Sequence, residues 1–196
     1  MKNNEKAKTT QKPGKLFVIS APTGAGKTTI INQALQQLPP SSFTRVVTWT
    51  TRPPRPGEQQ DVDYHFLSEK EFIQKEAVGF FLETSCYADN RYGSPMTTID
   101  QIKQGISFFL ITDRAGALGI KKIYPPAILI WIDVPSEQDL YNRLQNRNGS
   151  AKEIEKRFKI AKQEREIEQK EQKFDYHLMN DKLEQAVNDF VWIIKK

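Results

Sequence analysis

The chain has 196 residues, 38% of them hydrophobic and 10% aromatic, with a single cysteine, Cys86. That is enough apolar surface for one core and too much for a wholly disordered chain. No apolar run approaches the ~20 residues of a membrane span, and one cysteine allows no intrachain disulfide. The net charge of +5 sits mostly in residues 1–15, where five lysines face one acid, so the body carries 24 basic and 23 acidic side chains. Nucleic-acid binding needs a basic face on the fold itself, and a nearly neutral body predicts none. The lysine-rich start, Met1 to Lys15, has no apolar stretch of signal-peptide length after it, and a cytoplasmic location is expected.

In chain order, Leu16 to Ser20 reads as a buried strand. A glycine-rich turn follows from Ala21 to Gly26. A helix is then predicted with Ile30, Ile31, Ala34, Leu35 and Leu38 on one face, ended by Pro39-Pro40. Val46-Val47-Thr48-Trp49 reads as a second strand. Arg52 to Gly57 carries three prolines and must be loop. Ser68 with Glu71 has the spacing of a capping box. Phe80-Phe81-Leu82 and Tyr87 suggest short strands of a small lobe. Phe108 to Thr112 and Ala127 to Ile132 are continuous apolar runs, as buried parallel strands show. Ser136 is placed to cap a helix running to about Arg147, and Asn148-Gly149-Ser150 reads as a turn. Residues 151–173 form a mixed-charge helical stretch, with Glu153 and Arg157 at ion-pair spacing. His177-Leu178-Met179 is the last strand. Leu183, Ala186, Val187, Phe190, Val191 and Ile194 mark the last helix.

The chemistry begins at Ala21-Pro22-Thr23-Gly24-Ala25-Gly26-Lys27-Thr28, followed by Thr29. This is the pattern G-x-x-x-x-G-K-(S/T) with alanine in the first place, set between a strand and a helix. Such a loop turns backbone N–H groups inward as an anion nest at a helix N-terminus. Lys27 would reach the β- and γ-phosphates of a nucleoside triphosphate, and Thr28 would offer its hydroxyl to Mg²⁺. A second cluster follows the second strand. Arg52 and Arg55, three apart and stiffened by prolines, form a basic claw suited to phosphate oxygens. Tyr64, Glu83 and Tyr92-Gly93-Ser94 come at short range after it. No metal-ligand cluster includes His65 or His177, which read as structural. Trp49, Trp131 and Trp192 read as core or lobe packing, and Cys86 as incidental.

From Leu16 to the C-terminal helix the chain resembles the guanylate kinases. The resemblance rests on A-P-T-G-A-G-K-T-T, T-T-R-P-P-R-P-G-E, D-Y-H-F, the Glu83 position, R-Y-G-S and the ending D-Y-H-L-M-N-D. It implies an α/β P-loop NTPase fold, a parallel sheet core flanked by helices, with an inserted GMP-binding lobe and a helical lid. The implied division is a flexible basic tail at 1–15, a core at 16–46, 96–139 and 169–196, the lobe at 47–95 and the lid at 140–168. It also implies phosphoryl transfer from Mg-ATP to GMP and dGMP by a monomer or small homo-oligomer.

Carried over position by position, the resemblance makes Thr23, Gly24, Ala25, Gly26, Lys27, Thr28, Thr29 and Asn180 the ATP site. Arg52, Arg55, Tyr64 and Tyr92 would hold the GMP phosphate. Thr48, Glu83 and Ser94 would line the guanine pocket, with Asp113 at its side. Arg143, Arg147 and Arg157 would be lid arginines that act with Lys27 on the transferred group. The chain departs from the family pattern at the end of the strand that follows the lobe, where Ile111 and Ala115 replace an acid and a glutamine and Asp113 alone keeps a carboxylate. Trp49 replaces a smaller residue or histidine, and the stretch from Arg147 to Arg157 is one residue short. Two other readings stay open. One is a non-catalytic binding module of the same fold, against which the intact Gly26-Lys27-Thr28 speaks. The other is a P-loop kinase for another phosphorylated acceptor such as a ribose bisphosphate.

Overall fold

The structure, a computed structural model, describes residues 12–87, 89–146 and 150–196. Most of the lysine-rich tail, Arg147 and the Asn148-Gly149 turn lie outside the described residues. In chain order the elements are β1 Leu16–Ser20, α1 Lys27–Gln36, β2 Phe43–Arg45, β3 Thr48–Thr50, β4 Tyr64–Phe66, α2 Glu69–Ala77, β5 Phe81–Tyr87 and β6 Asn90–Pro95. There follow α3 Thr97–Lys103, β7 Ser107–Ile111, α4 Arg114–Ile123, β8 Ile128–Asp133, α5 Glu137–Gln145, α6 Ala151–Glu171, β9 Tyr176–Met179 and α7 Leu183–Lys195.

Two sheets organise these elements. The larger is five-stranded and parallel, in the order β2-β7-β1-β8-β9. The alternation of its strands divides the core in two. Phe17 and Ile19 of β1 face one way and join Ile30, Ile31 and Ala34 of α1, Leu140 and Leu144 of α5, Ala161 of α6 and Phe190 of α7. Leu16 and Val18 face the other way, with Ile102 of α3, Ala117 and Ile120 of α4, and Trp131. Both faces are covered, so the strands read as unbroken apolar runs rather than alternating ones. The order places β1 in the middle, and the loop after β1 opens at the carboxyl end of the sheet, beside the crossover to β7. Ligands of open α/β sheets bind at such switch points.

The smaller sheet is four-stranded, in the order β4-β3-β6-β5, with β3 and β4 parallel and the other pairs antiparallel. Here the sequence reading needs correction. Val46 to Trp49 is not one strand: β2 ends at Arg45 in the large sheet and β3 starts at Thr48 in the small one. The chain changes sheet between them, with Val46 N–H donating to the Phe109 carbonyl on the way. Periodicity cannot reveal that change, because both partners lie far off in sequence. The helices α3 and α4 also went unread. The first has four β-branched residues in seven, and α4 has glycine at 116 and 119, so both are weak by propensity and are held by packing.

The capping signals hold. Ser68 and Glu71 form a reciprocal box at α2, with the Ser68 N–H donating to Glu71 Oε2 at 2.8 Å and the Glu71 N–H to Ser68 Oγ at 3.3 Å. Ser136 caps α5 and Ser150 caps α6. The Ser150 box uses the Glu153 carboxylate, and no ion pair joins Glu153 to Arg157 among the described residues, contrary to expectation. Ser68→Ala removes the Oγ bonds of this box and leaves the backbone N–H of position 68 on Glu71. The expected result is a loss of about 1 kcal/mol in urea unfolding with unaltered turnover.

The tryptophans divide as follows. Trp131 is buried in the core. Trp49 points to the outer side of β3, opposite to the buried Thr48 and Thr50, and stacks on His65 at 4.3 Å with Lys75 Nζ 4.3 Å from its ring centroid. The departure at position 49 therefore falls on the outer side of the lobe sheet. Trp192 contradicts its reading: it is 59% exposed on α7, with Lys196 Nζ 3.5 Å from its ring centroid. No helix among the described residues is long and apolar enough to cross a membrane.

Candidate active site

The loop between β1 and α1 has the geometry its sequence demands. Gly24 and Gly26 sit at φ +97° and +95°, in the left-handed region that side chains disfavour. Gly26 has a second constraint, since a Cβ there would lie 2.5 Å from Asn180 Nδ2. No side chain caps the N-terminus of α1 and no acid lies in its first turn, so its leading N–H groups face the loop as an anion site. Lys27 Nζ donates to the Ala21 carbonyl at 2.8 Å, folded back over the nest. Ala25 is turned the other way. Its carbonyl accepts from Asn180 Nδ2 at 2.7 Å and from Arg143 Nη1 at 3.5 Å, and Arg143 Nη2 donates to the Asn180 carbonyl at 2.7 Å. Arg143 and Asn180 brace the loop from behind in this structure and do not line its mouth.

One cleft runs from this loop to the small sheet. Thr23, Gly24, Gly26, Lys27, Thr28 and Thr29 form one wall, while Arg55, Tyr64 and Tyr92 form the other and Asp113 lies at its floor. Tyr64 and Tyr92 come together from β4 and β6, ring centroids 6.2 Å apart. Arg52 is held next to them. Its Nη2 donates to both oxygens of Glu58 at 2.9 Å, and its guanidinium lies 5.2 Å from the Tyr64 ring centroid. The prolines that make this loop stiff leave Arg52 and Arg55 three residues apart, and Glu58 gathers them: the Arg55 N–H also donates to it, at 2.8 Å.

Beside Asp113 lies the Glu83 pocket, whose own residues are buried and outside the cleft lining. Thr48, Glu83 and Ser94 are buried on three neighbouring strands of the small sheet. Ser94 Oγ donates to Glu83 Oε1 at 3.0 Å. Glu83 Oε2 is buried with no partner, an arrangement that costs stability unless a ligand supplies a donor. Burial pushes the Glu83 carboxyl up to about 7; the Ser94 bond opposes this and the charge of Asp113 adds to it. Asp113 itself caps α4, accepting from the Gly116 N–H at 2.7 Å. A Cβ at Gly116 would run into Thr112 Oγ1 and come 3.0 Å from Glu83 Oε2, so glycine lets the carboxylate approach the helix end.

Sequence reasoning missed several side chains that share the cleft: Arg45, Glu58, Asp63, Ser85, Tyr87, Thr112 and Glu164. Glu164 reaches in from α6, seven residues and two turns beyond Arg157, a spacing that puts both on one helix face. Burial pushes its carboxyl up to about 7, against the pull of Lys27 and with the repulsion of Asp113. Ile111 also lines the cleft, so the position of the missing acid faces the site with an apolar side chain. The strand period could have found Ser85 and Tyr87, which lie two and four residues beyond Glu83.

A parallel α/β sheet with a phosphate-binding loop at its switch point, faced across a cleft by a loop bearing arginines and a small sheet bearing paired tyrosines, defines a P-loop protein. Residues 13–196 match the family model described as guanylate kinase. The chain is 41% identical over 177 residues to a guanylate kinase of Protochlamydia amoebophila, covering 89% of this chain and 87% of that one. It is 38% identical over 191 residues to a guanylate kinase of Wolbachia pipientis, covering 96% and 92%. The crystal structure of guanylate kinase from Anaplasma phagocytophilum superposes with a TM-score of 0.78 at 26% identity, covering 94% of this chain and 86% of that one. The chain belongs to the guanylate kinase family.

Proposed function

We propose that this chain transfers the terminal phosphoryl group of ATP to GMP, giving ADP and GDP. One observation carries the reading: the intact loop of Gly24, Gly26, Lys27 and Thr28 shares a cleft with Arg55, Tyr64 and Tyr92, and the buried carboxylate of Glu83 lies beside Asp113 of its lining. The loop N–H groups and Lys27 hold the phosphates of ATP. Arg52, Arg55, Tyr64 and Tyr92 hold the phosphate of GMP opposite. Glu83 accepts from guanine N1–H and the N2 amine together, and the hydroxyls of Thr48 and Ser94 complete the pocket. Adenine lacks that donor pair and leaves Glu83 unsatisfied.

No general base is required. The acceptor is a phosphate oxygen whose second pKa is about 6, and it is ionised at neutral pH. The protein holds the two phosphates in line and neutralises the charge that spreads over the transferred group. Arg157 belongs to the segment that would close over it; Arg143 would have to leave Ala25 and Asn180 to join it. Mg²⁺ fits the residues present. Thr28 offers a hydroxyl in the cleft, and Asp113 and Glu164 offer carboxylates through water, the hard oxygen donors this ion takes. Bound there with ATP, Mg²⁺ supplies charge neutralisation on the phosphates.

The test is ADP formation from Mg-ATP with GMP, dGMP, AMP, CMP and UMP offered separately at equal concentration. Turnover confined to the guanine nucleotides is expected. Turnover with none would leave a binding module or a kinase for another acceptor. Within the same assay Arg55→Ala should raise the KM for GMP by about tenfold or more and leave that for ATP nearly unchanged, since a lost charge-assisted contact is worth ~1.5–3 kcal/mol.

A further inference from the structure

Beyond the assigned pocket, the inner face of β5 carries a row of polar groups with nothing to bond. Glu83, Ser85 and Tyr87 alternate along this strand with the exposed Thr84 and Cys86, so all three point into the molecule. Glu83 Oε2, Ser85 Oγ and Tyr87 OH are each buried without a hydrogen-bond partner. Buried hydroxyls almost always find a partner, and three orphans in succession on one strand face mark a ligand rather than a packing fault. The row has a direction. It starts at the guanine pocket, passes Ser85, whose cross-strand neighbour is Tyr92, and ends at Tyr87. Ser85 and Tyr87 both line the cleft.

Tyr87 stands where three parts of the cleft meet. The charges of Glu164 and Arg157 on α6 act on its hydroxyl, as does Tyr92 of the acceptor clamp, and the Thr23 side chain of the phosphate loop lies close by. Thr23 does not meet it in hydrogen-bond geometry. The hydroxyl therefore lies between the groups that hold the acceptor phosphate and the loop that holds the donor phosphates.

We infer that Tyr87 is a further phosphate-contacting residue, its hydroxyl donating to an oxygen of the phosphoryl group as that group passes between the two nucleotides. This rests on the GMP kinase reading above. Burial raises the Tyr87 pKa to about 12, which keeps the hydroxyl protonated and a donor throughout the working pH range. No bond to tyrosine forms or breaks. The contact acts on charge that is placed differently in the transition state and in the bound ground state, so its loss should appear in kcat rather than in KM.

The experiment compares Tyr87→Phe with the unaltered protein in Mg-ATP plus GMP turnover, in equilibrium binding of GMP, and in thermal unfolding. The expected result is a fall in kcat of about tenfold, KM for ATP and GMP within twofold, unchanged GMP binding, and a melting temperature equal to or above the original, since the variant removes an orphaned hydroxyl. Unchanged kcat in Tyr87→Phe would overturn the inference. So would a fall in kcat that came with a lowered melting temperature or weakened GMP binding, for then the hydroxyl would serve the fold or the ground state. If the unaltered protein itself turned over no guanine nucleotide, the kinase reading would fall first, and the two failures are distinguishable.

Discussion

Lys27→Ala is expected to lower kcat for GMP phosphorylation by about 10³-fold or more while the protein folds as before. Its amine donates to the loop's own backbone at Ala21, and its charge acts on Glu164 across the cleft. When the loop takes up phosphates, that charge lies against them. Removing a single preorganised donor from a site of developing charge costs on the order of 10²–10³ in rate. Phosphoryl transfer leans on such donors more than most chemistry, because the protein contributes positioning and electrostatics and little else. Lys27→Arg should fail nearly as badly, for a planar guanidinium cannot take the place of a point charge in a nest whose glycines lie at φ near +95°. ADP release with saturating Mg-ATP and GMP measures both variants, and circular dichroism checks the fold. A Lys27→Ala protein that kept its turnover would remove the loop from the mechanism.

The loop was readable because everything that makes it work is local. Two glycines supply positive φ, a buried strand precedes it, and the helix begins at the lysine, all within a dozen residues. The same is true of the Ser68–Glu71 capping box and of Ser136 at the start of α5. The buried strands β1, β7 and β8 were readable for a different reason: a sheet covered on both faces requires apolar residues at every position. What was not readable depended on partners far away in sequence. Nothing in Val46-Val47 says that the chain leaves one sheet and enters another there. Arg143 lies on a helix face like any lid arginine, yet in this structure it bonds to carbonyls at positions 25 and 180.

Asp113 teaches the same point within the site. Its place after a buried strand suggests a carboxylate aimed at a ligand, and it does lie in the cleft. The stronger local signal was Asp-x-x-Gly at a helix start, and the carboxylate caps α4 through the Gly116 N–H. Glu164 was hidden inside a helix rich in charge, where nothing in the sequence separates an inward acid from a solvated one. Burial against Lys27 and Asp113 separates them. The acid absent at Ile111 is thus not the only carboxylate that could have faced this cleft, for Glu164 reaches it from the opposite side.

Glu83 should show the largest change in specificity, and its pH behaviour has a sign that can be worked out beforehand. Glu83→Ala is expected to lower kcat/KM for GMP on the order of 10³-fold and to flatten the preference for GMP over AMP, because two charge-assisted bonds to guanine are lost together. In the unaltered protein the free carboxyl titrates at about 7. Below that pH it carries a proton and meets the two guanine donors with one acceptor too few, so KM for GMP should rise as pH falls from 8 to 6 while KM for ATP stays level. The GMP phosphate, with a second pKa near 6, titrates in part of the same range. Its contribution persists in Glu83→Gln and can be subtracted there. Stability runs the other way. A carboxyl raised from 4.5 in the unfolded chain to about 7 in the fold contributes most below pH 4.5 and loses that contribution as pH rises through 7. Glu83→Gln, which cannot ionise, should therefore melt higher than the unaltered protein at pH 8 and lose that advantage at pH 5. A variant with unchanged GMP kinetics, or with a stability gain that grew towards low pH, would remove Glu83 from the guanine pocket. The pairing of the two effects has one physical source: the free protein keeps an acceptor buried and unsatisfied, and the base that satisfies it is the one it selects.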